Sequence, residues 1–233
     1  MLFISPKQAY IRGLPAEIES YKVQEYMQKP YKSIRIFKSS FLERFTHVHP
    51  ITPLLVWVPI IFWFLWQAVA VGEMSWSKVS ALGALGFFVW TITEYVLHRF
   101  VFHFEGDSAW SQRLHFLIHG IHHEDPNDPT RLVMPPLAGI LISIPIYAFF
   151  RLFLGPVWID PFFAFFLMGY LTYDYIHYSV HHFKPRTAFG KMLKQHHMQH
   201  HFVSQNARWG VSSPLWDIVF GSLEDVKEKK RAV

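Results

Sequence analysis

Between Ile51 and Val71 the chain runs 21 positions without a charged side chain. A helix needs about 20 predominantly apolar residues to cross the hydrocarbon of a bilayer, so this block alone satisfies the requirement. Val79–Thr93 is a second uncharged run, which reaches the same length if it continues through Glu94 to about Leu97. Leu137–Phe150 and Pro161–Tyr173 are shorter. Arg151 can snorkel towards a headgroup from one, and Asp174 closes the other. A buried soluble bundle would also explain the last two runs, but they stand beside a convincing span. Hydrophobic residues make up 51% of the chain and charged ones only 17%, which is too apolar for an ordinary soluble domain. The expected fold is all-α and polytopic, with about four transmembrane helices near 51–71, 79–97, 137–154 and 159–176.

Short connections, Gly72–Lys78 and Leu154–Asp160, join these runs into two hairpins. Basic residues lie almost wholly outside them: eight in residues 1–50, then Arg99, Arg113 and Arg131, and nine from Lys184 onward. The positive-inside rule then places both termini and the middle segment in the cytosol. Residues 1–50 are expected to form a basic segment along the membrane surface. Residues 51–233 form the main domain, with a cytosolic cap from 98–136 and 177–233. The start of the chain lacks the pattern of a cleavable signal peptide. The net charge of +5 is explained by the cytosolic bias of Lys and Arg, without nucleic acid. The expected location is an integral, multi-pass one with the functional face in the cytosol: endoplasmic reticulum in a eukaryote, inner membrane in a bacterium. With no cysteine, disulfides, cysteine-ligated iron–sulfur clusters and thiolate haem are excluded.

Thirteen of the fifteen histidines fall in four clusters, all near the cytosolic ends of the returning helices. They read His98-x4-His103, His115-x3-His119-x2-His122-His123, His177-x3-His181-His182 and His196-His197-x2-His200-His201. Imidazole is the commonest protein ligand for zinc, iron and copper. Residues at i, i+3 and i+4 share a helix face, so His119, His122 and His123 can aim at one pocket, as can His197, His200 and His201. His177 and His181 add an i, i+4 pair. His98 and His103 lie about 140° apart on an ideal helix, which suggests that they serve two neighbouring ions. Together these make ten ligands, suited to two ions. His115, His182 and His196 are read as supporting or packing residues, and His47 and His49 stand apart. Each returning run also ends in an acid followed by histidines, Glu94-x3-His98 and Asp174-x2-His177, a weak internal repeat.

Ligating imidazoles usually donate their second N–H to a carboxylate or carbonyl. Glu94, Glu124, Asp125, Asp128 and Asp174 are the nearest acids, and Asp174 is favoured because an acid at the end of a span is costly without a partner. Two iron ions at a membrane face suit activation of dioxygen and attack on an unactivated lipid C–H bond. All-imidazole sites take zinc at least as readily, so purified protein can carry zinc. Phe162, Phe163, Phe165, Phe166 and Trp90 are candidates to line an acyl chain.

In this setting the motifs resemble the fatty acid hydroxylase/sterol desaturase superfamily. Glu94-Tyr-Val-Leu-His-Arg-Phe-Val-Phe-His103, Leu114-His-Phe-Leu-Ile-His-Gly-Ile-His-His123, Arg131-Leu-Val-Met-Pro-Pro136 and Tyr173-Asp-Tyr-Ile-His177 are similar to its fatty acid 2-hydroxylase branch, as are Gly210-Val-Ser and Leu215-Trp-Asp217. The resemblance covers about residues 90–220. It implies hydroxylation at C2 of a fatty acid or of the acyl chain of a sphingolipid, with dioxygen and two electrons. It also implies that the ten histidines bind the metals and that Tyr173 and Asp174 are catalytic residues beside them. Many eukaryotic relatives carry a b-type cytochrome domain marked His-Pro-Gly-Gly, which does not occur here. Electrons are therefore expected from a separate donor, a b-type cytochrome or a ferredoxin with its reductase. Desaturation, or sterol or carotenoid hydroxylation, is the nearest alternative. A metal transporter or sensor fits less well, because the ligands gather at one face instead of lining the spans.

Overall fold

The computed structural model describes residues 33–224. The first 32 residues of the proposed membrane-surface segment, and the charged tail from Asp225, lie outside the described residues. Every regular element among the described residues is helical. A short α1 (Ser40–Arg44) precedes α2 (Thr52–Val71) and α3 (Trp76–Phe102). The next stretch, α4, runs through Ala109–His115, Phe116–Gly120 and Ile121–Glu124. It is followed by α5 (Pro136–His182), α6 (Ala188–Phe202) and α7 (Leu215–Val219).

Three of these helices, α2, α3 and α5, are long and apolar enough to cross a membrane. The 47 residues of α5 are about twice what a bilayer needs, and the helix folds back midway. Gly155 breaks it at φ 70 and ψ 178, a conformation essentially restricted to glycine, and Pro156 opens the second limb. Ring contacts trace the fold-back: Phe150 meets Phe162 at 4.9 Å and Tyr147 meets Phe163 at 5.0 Å. The expected pair of returning segments is therefore present, with a single-residue corner in place of a loop.

The limbs of α5 organise the bundle. Phe64 of α2 packs on Tyr147 and Phe163, and Trp57 packs on Tyr170 and lies beside Gly139, so α2 runs parallel to limb 136–154 and antiparallel to limb 156–182. In turn, α3 lies parallel to limb 156–182, with partners about 80 positions further along: Gly83 with Phe165, and Trp90 with Phe166, Tyr170 and Tyr173. Gly86 permits the closest approach, since a Cβ there would lie 2.0 Å from the Phe162 carbonyl oxygen. That register explains the weak repeat: it sets Glu94 beside the level of Asp174, and His98 beside that of His177. Leu55, Phe62, Trp66, Leu85, Phe88 and Leu152 remain exposed around the bundle, an apolar belt that water would not tolerate.

Residues 33–50 are stitched to the loop after α4. The buried Arg131 bonds to Glu43 at 2.5 Å, to Thr46 Oγ1 and to the Ile34 carbonyl, while Val48 N–H donates to the Thr130 carbonyl. His47 belongs to this knot through Thr130 and Arg131.

Candidate metal centre

Four elements deliver ten imidazoles to one end of the bundle, in two groups of five. His98, His103, His119, His123 and His200 form the first group; His122, His177, His181, His197 and His201 form the second. In each, the ligand atoms lie within 4.8 Å of one another. The arrangement has an approximate twofold logic. The first centre takes a pair from α3, a pair from α4 and one residue from α6. The second takes a pair from α5, a pair from α6 and one residue from α4.

This division corrects two readings of the spacing. The i, i+3, i+4 sets do not each serve one pocket: His119 and His123 face one centre while His122 faces the other, and α6 splits His200 from His197 and His201. Two ions a short distance apart can share one helix face, and spacing within a single helix cannot reveal that. Nor are His98 and His103 divided between the two groups. The last turn of α3 widens into a π-turn over Leu97–Phe102, with His103 N–H donating to the His98 carbonyl. An i→i+5 turn brings residues five apart onto one face, where an α-helix would separate them.

The imidazoles converge through Nε2. In the first centre His119 Nε2 lies 3.1 Å from that of His98 and 3.0 Å from that of His123, and His200 meets His103 at 3.1 Å. In the second, His122 meets His177 and His201 at 3.0 Å each, and His197 meets His201 at 3.0 Å and His181 at 2.8 Å. Such spacings suit nitrogens roughly at right angles on an ion about 2.1 Å from each. Face-to-face rings of His123 and His201, 4.1 Å apart, separate the centres. Burial holds His119, His122, His123, His197, His200 and His201 well below the ordinary imidazole pKa, and the neighbouring histidines push the same way. Neutral, buried imidazoles with convergent lone pairs are a donor set that fits a divalent cation.

Backbone carbonyls orient two of these ligands: His98 Nδ1 donates to Trp209 O at 2.5 Å, and His200 Nδ1 to Ala207 O at 2.7 Å. Of the expected acids, Glu94 and Asp174 bond groups other than the clustered imidazoles. Glu94 accepts from the Val211 and Ser212 amides at 2.8 Å and from the Ser212 hydroxyl. Asp174 accepts from Met134 N–H at 3.3 Å and Tyr170 OH at 3.5 Å. Asp128 holds Ser33 and Thr130. The carboxylate that spacing did not point to is Asp217, which binds His196, Trp209 N–H, Gly210 N–H and Ser222. Burial alone would raise its carboxyl, but those four hydrogen bonds outweigh it and hold the group below the usual carboxylate range. Of the remaining histidines, His115 lies 3.7 Å from Glu105 and His182 packs on Tyr178.

A sequence model of the family described as fatty acid hydroxylase matches residues 83–222. The chain belongs to the fatty acid hydroxylase family. It is 36% identical over 211 residues to a dihydroceramide fatty acyl 2-hydroxylase of Arabidopsis thaliana, covering 89% of each protein. The fatty acid 2-hydroxylase of Homo sapiens is 33% identical over 227 residues, which are 88% of this chain and 61% of the human protein. A solved structure described as full-length scs7p, with only the hydroxylase domain visible, superposes with a TM-score of 0.78 at 29% identity, covering 94% of each chain. Both histidine groups of this fatty acid hydroxylase lie within the matched region.

Proposed function

We propose that the chain is a membrane oxidoreductase that hydroxylates a fatty acid, or the acyl chain of a sphingolipid, at C2. The observation that carries this reading is the pair of five-histidine groups at one end of an apolar bundle, beside a small apolar cavity of about 30 Å³ between α2, α3 and α5. Trp57, Trp90, Leu97, Phe102, Ile146 and Phe166 line it. Phe162, Phe163 and Phe165, also expected there, pack within the bundle instead. Phe102 stacks on His119 and Tyr173 on His177, so the cavity wall touches both centres. The net reaction consumes a C–H bond, dioxygen, two electrons and two protons and yields the alcohol and water. Two iron ions, when bound to the ten histidines, would supply the activation of dioxygen. Tyr173 is the catalytic residue that borders both the acyl chain and His177. Asp174 beside it ties this wall to the Met134 backbone. The apolar walls exclude water and leave the chain carbon as the exposed target. Electrons come from a separate donor, such as a b-type cytochrome or a ferredoxin with its reductase.

Topology follows the charge bias: four segments cross the bilayer, with both corners outside and the centres on the cytosolic face. Trp110, Leu114 and Ile118 form an exposed apolar stripe on α4, as expected of a helix resting on the headgroup boundary. Cells expressing the intact chain should accumulate 2-hydroxy acyl lipids, and His200→Ala should abolish this. Identical lipid profiles for the two, with two metals bound to the intact protein, would sink the assignment.

A further inference from the structure

The loop Ala207–Gly210 supplies both carbonyls that orient ligands of the first centre, and each carbonyl belongs to a peptide plane whose other end is pinned. The Trp209 carbonyl receives the His98 Nδ1 proton, while the N–H of that same peptide, Gly210 N–H, donates to Asp217 Oδ2 at 2.8 Å. The Ala207 carbonyl receives the His200 Nδ1 proton, while Arg208 N–H donates to the Ser222 carbonyl at 2.8 Å. Ser222 is itself fixed by Asp217, its hydroxyl donating to Oδ1 at 2.7 Å and its N–H to the Asp217 carbonyl at 2.8 Å. Arg208 holds a positive φ of 60°, so the loop needs external restraint to keep its shape.

We infer that Asp217 is a positioning residue for the first centre alone, acting on His98 and His200 through rigid peptide planes. Directly bonded carboxylate–histidine–metal arrangements fix the tautomer and raise ligand basicity. Here one planar peptide stands between the carboxylate and His98, while the path to His200 also runs through Ser222. An anion at its N–H end polarises the peptide and strengthens the carbonyl as an acceptor, because hydrogen bonds in series reinforce one another. Both oxygens of Asp217 are used: Oδ1 by Trp209 N–H and Ser222, Oδ2 by Gly210 N–H and His196 Nε2. The Ser222 hydroxyl also meets Tyr95 OH, to which Arg99 donates, so the donors point inward along one line to Asp217. Asp217 does not reach the second centre by this route: there His181 bonds the Pro126 backbone, and the Nδ1 atoms of His197 and His201, like that of His123 in the first, are buried without a hydrogen-bond partner among the described residues.

This inference rests on the two-centre reading, and metal analysis of the full-length detergent-purified protein separates the two. Intact protein should hold two ions, and Asp217→Asn about one. Adding His103→Ala to Asp217→Asn should remove nothing further, whereas adding His181→Ala should remove the remaining ion. In chelator competition the first centre of Asp217→Asn should weaken ten- to hundredfold, the range for loss of a ligand's supporting partner. Ser222→Ala, which removes one bond of the network, should shift the same centre in the same direction by less, and covers the case in which Asp217→Asn fails to fold. Fewer than two ions in the intact protein would overturn the two-centre reading itself. Two ions in the intact protein, with both retained at intact affinity or both lost together in folded Asp217→Asn, would overturn the role of Asp217.

Discussion

Ten imidazoles packed this tightly put their own condition on stability. Burial holds these imidazoles well below their ordinary pKa of about 6.5, so the folded, ion-free protein binds fewer protons than the unfolded chain once the pH drops below that value. Above that pH both states are neutral and these groups contribute no pH dependence. Below it stability falls, each such histidine contributing up to about 1.4 kcal/mol per pH unit. Thermal unfolding of chelator-stripped protein should therefore shift to lower temperature between pH 7.5 and 5.5. An unchanged transition would show that these imidazoles are not held neutral. The ten histidines that spacing singled out are the ten that the structure gathers into two groups, while His115, His182, His196, His47 and His49 fall outside both. The division of the ten between centres was not legible, because His122 and His123 are neighbours in sequence and face different groups. Asp217 was visible only as part of the Leu215-Trp-Asp217 motif and its proposed role was not legible, because backbone carbonyls leave no trace in side-chain identity.

At the level of elements, the apolar runs lie within the three long helices, which continue beyond them to Phe102 and His182. The corner at Gly155 was harder to foresee, since one residue with positive φ replaces the loop that a hairpin ordinarily uses. Helix contact rests on close backbone approach. Gly86→Ala would drive a Cβ into the Phe162 carbonyl oxygen, and both backbones belong to long helices that cannot yield locally. The expected cost is about 1–3 kcal/mol, as for overpacking elsewhere. For a chain of this size that lowers the melting temperature by roughly 2–4 °C per kcal/mol. Gly86→Ala melting with the parent protein would show that α3 and limb 156–182 are not so closely joined.

For the whole molecule, the orientation proposed from the distribution of Lys and Arg puts the corners at Gly72 and Gly155 away from the cytosol. The native chain has no cysteine, so a single one at position 72 makes a clean reporter. Gly72→Cys should resist a membrane-impermeant thiol reagent applied from the cytosolic side, and labelling there would invert the topology. The same view places the two returning helices side by side, one ending in His98-x4-His103 and the other in His177-x3-His181. Each gives two imidazoles to a single centre, although their spacings differ by one residue. The π-turn of α3 absorbs that residue: an insertion that would rotate everything beyond it by about 100° in an α-helix is taken up within one turn. The two motifs are one ligand-bearing device written at two lengths. Such a helix end can gain or lose a residue and keep its metal, provided the turn is free to widen or close.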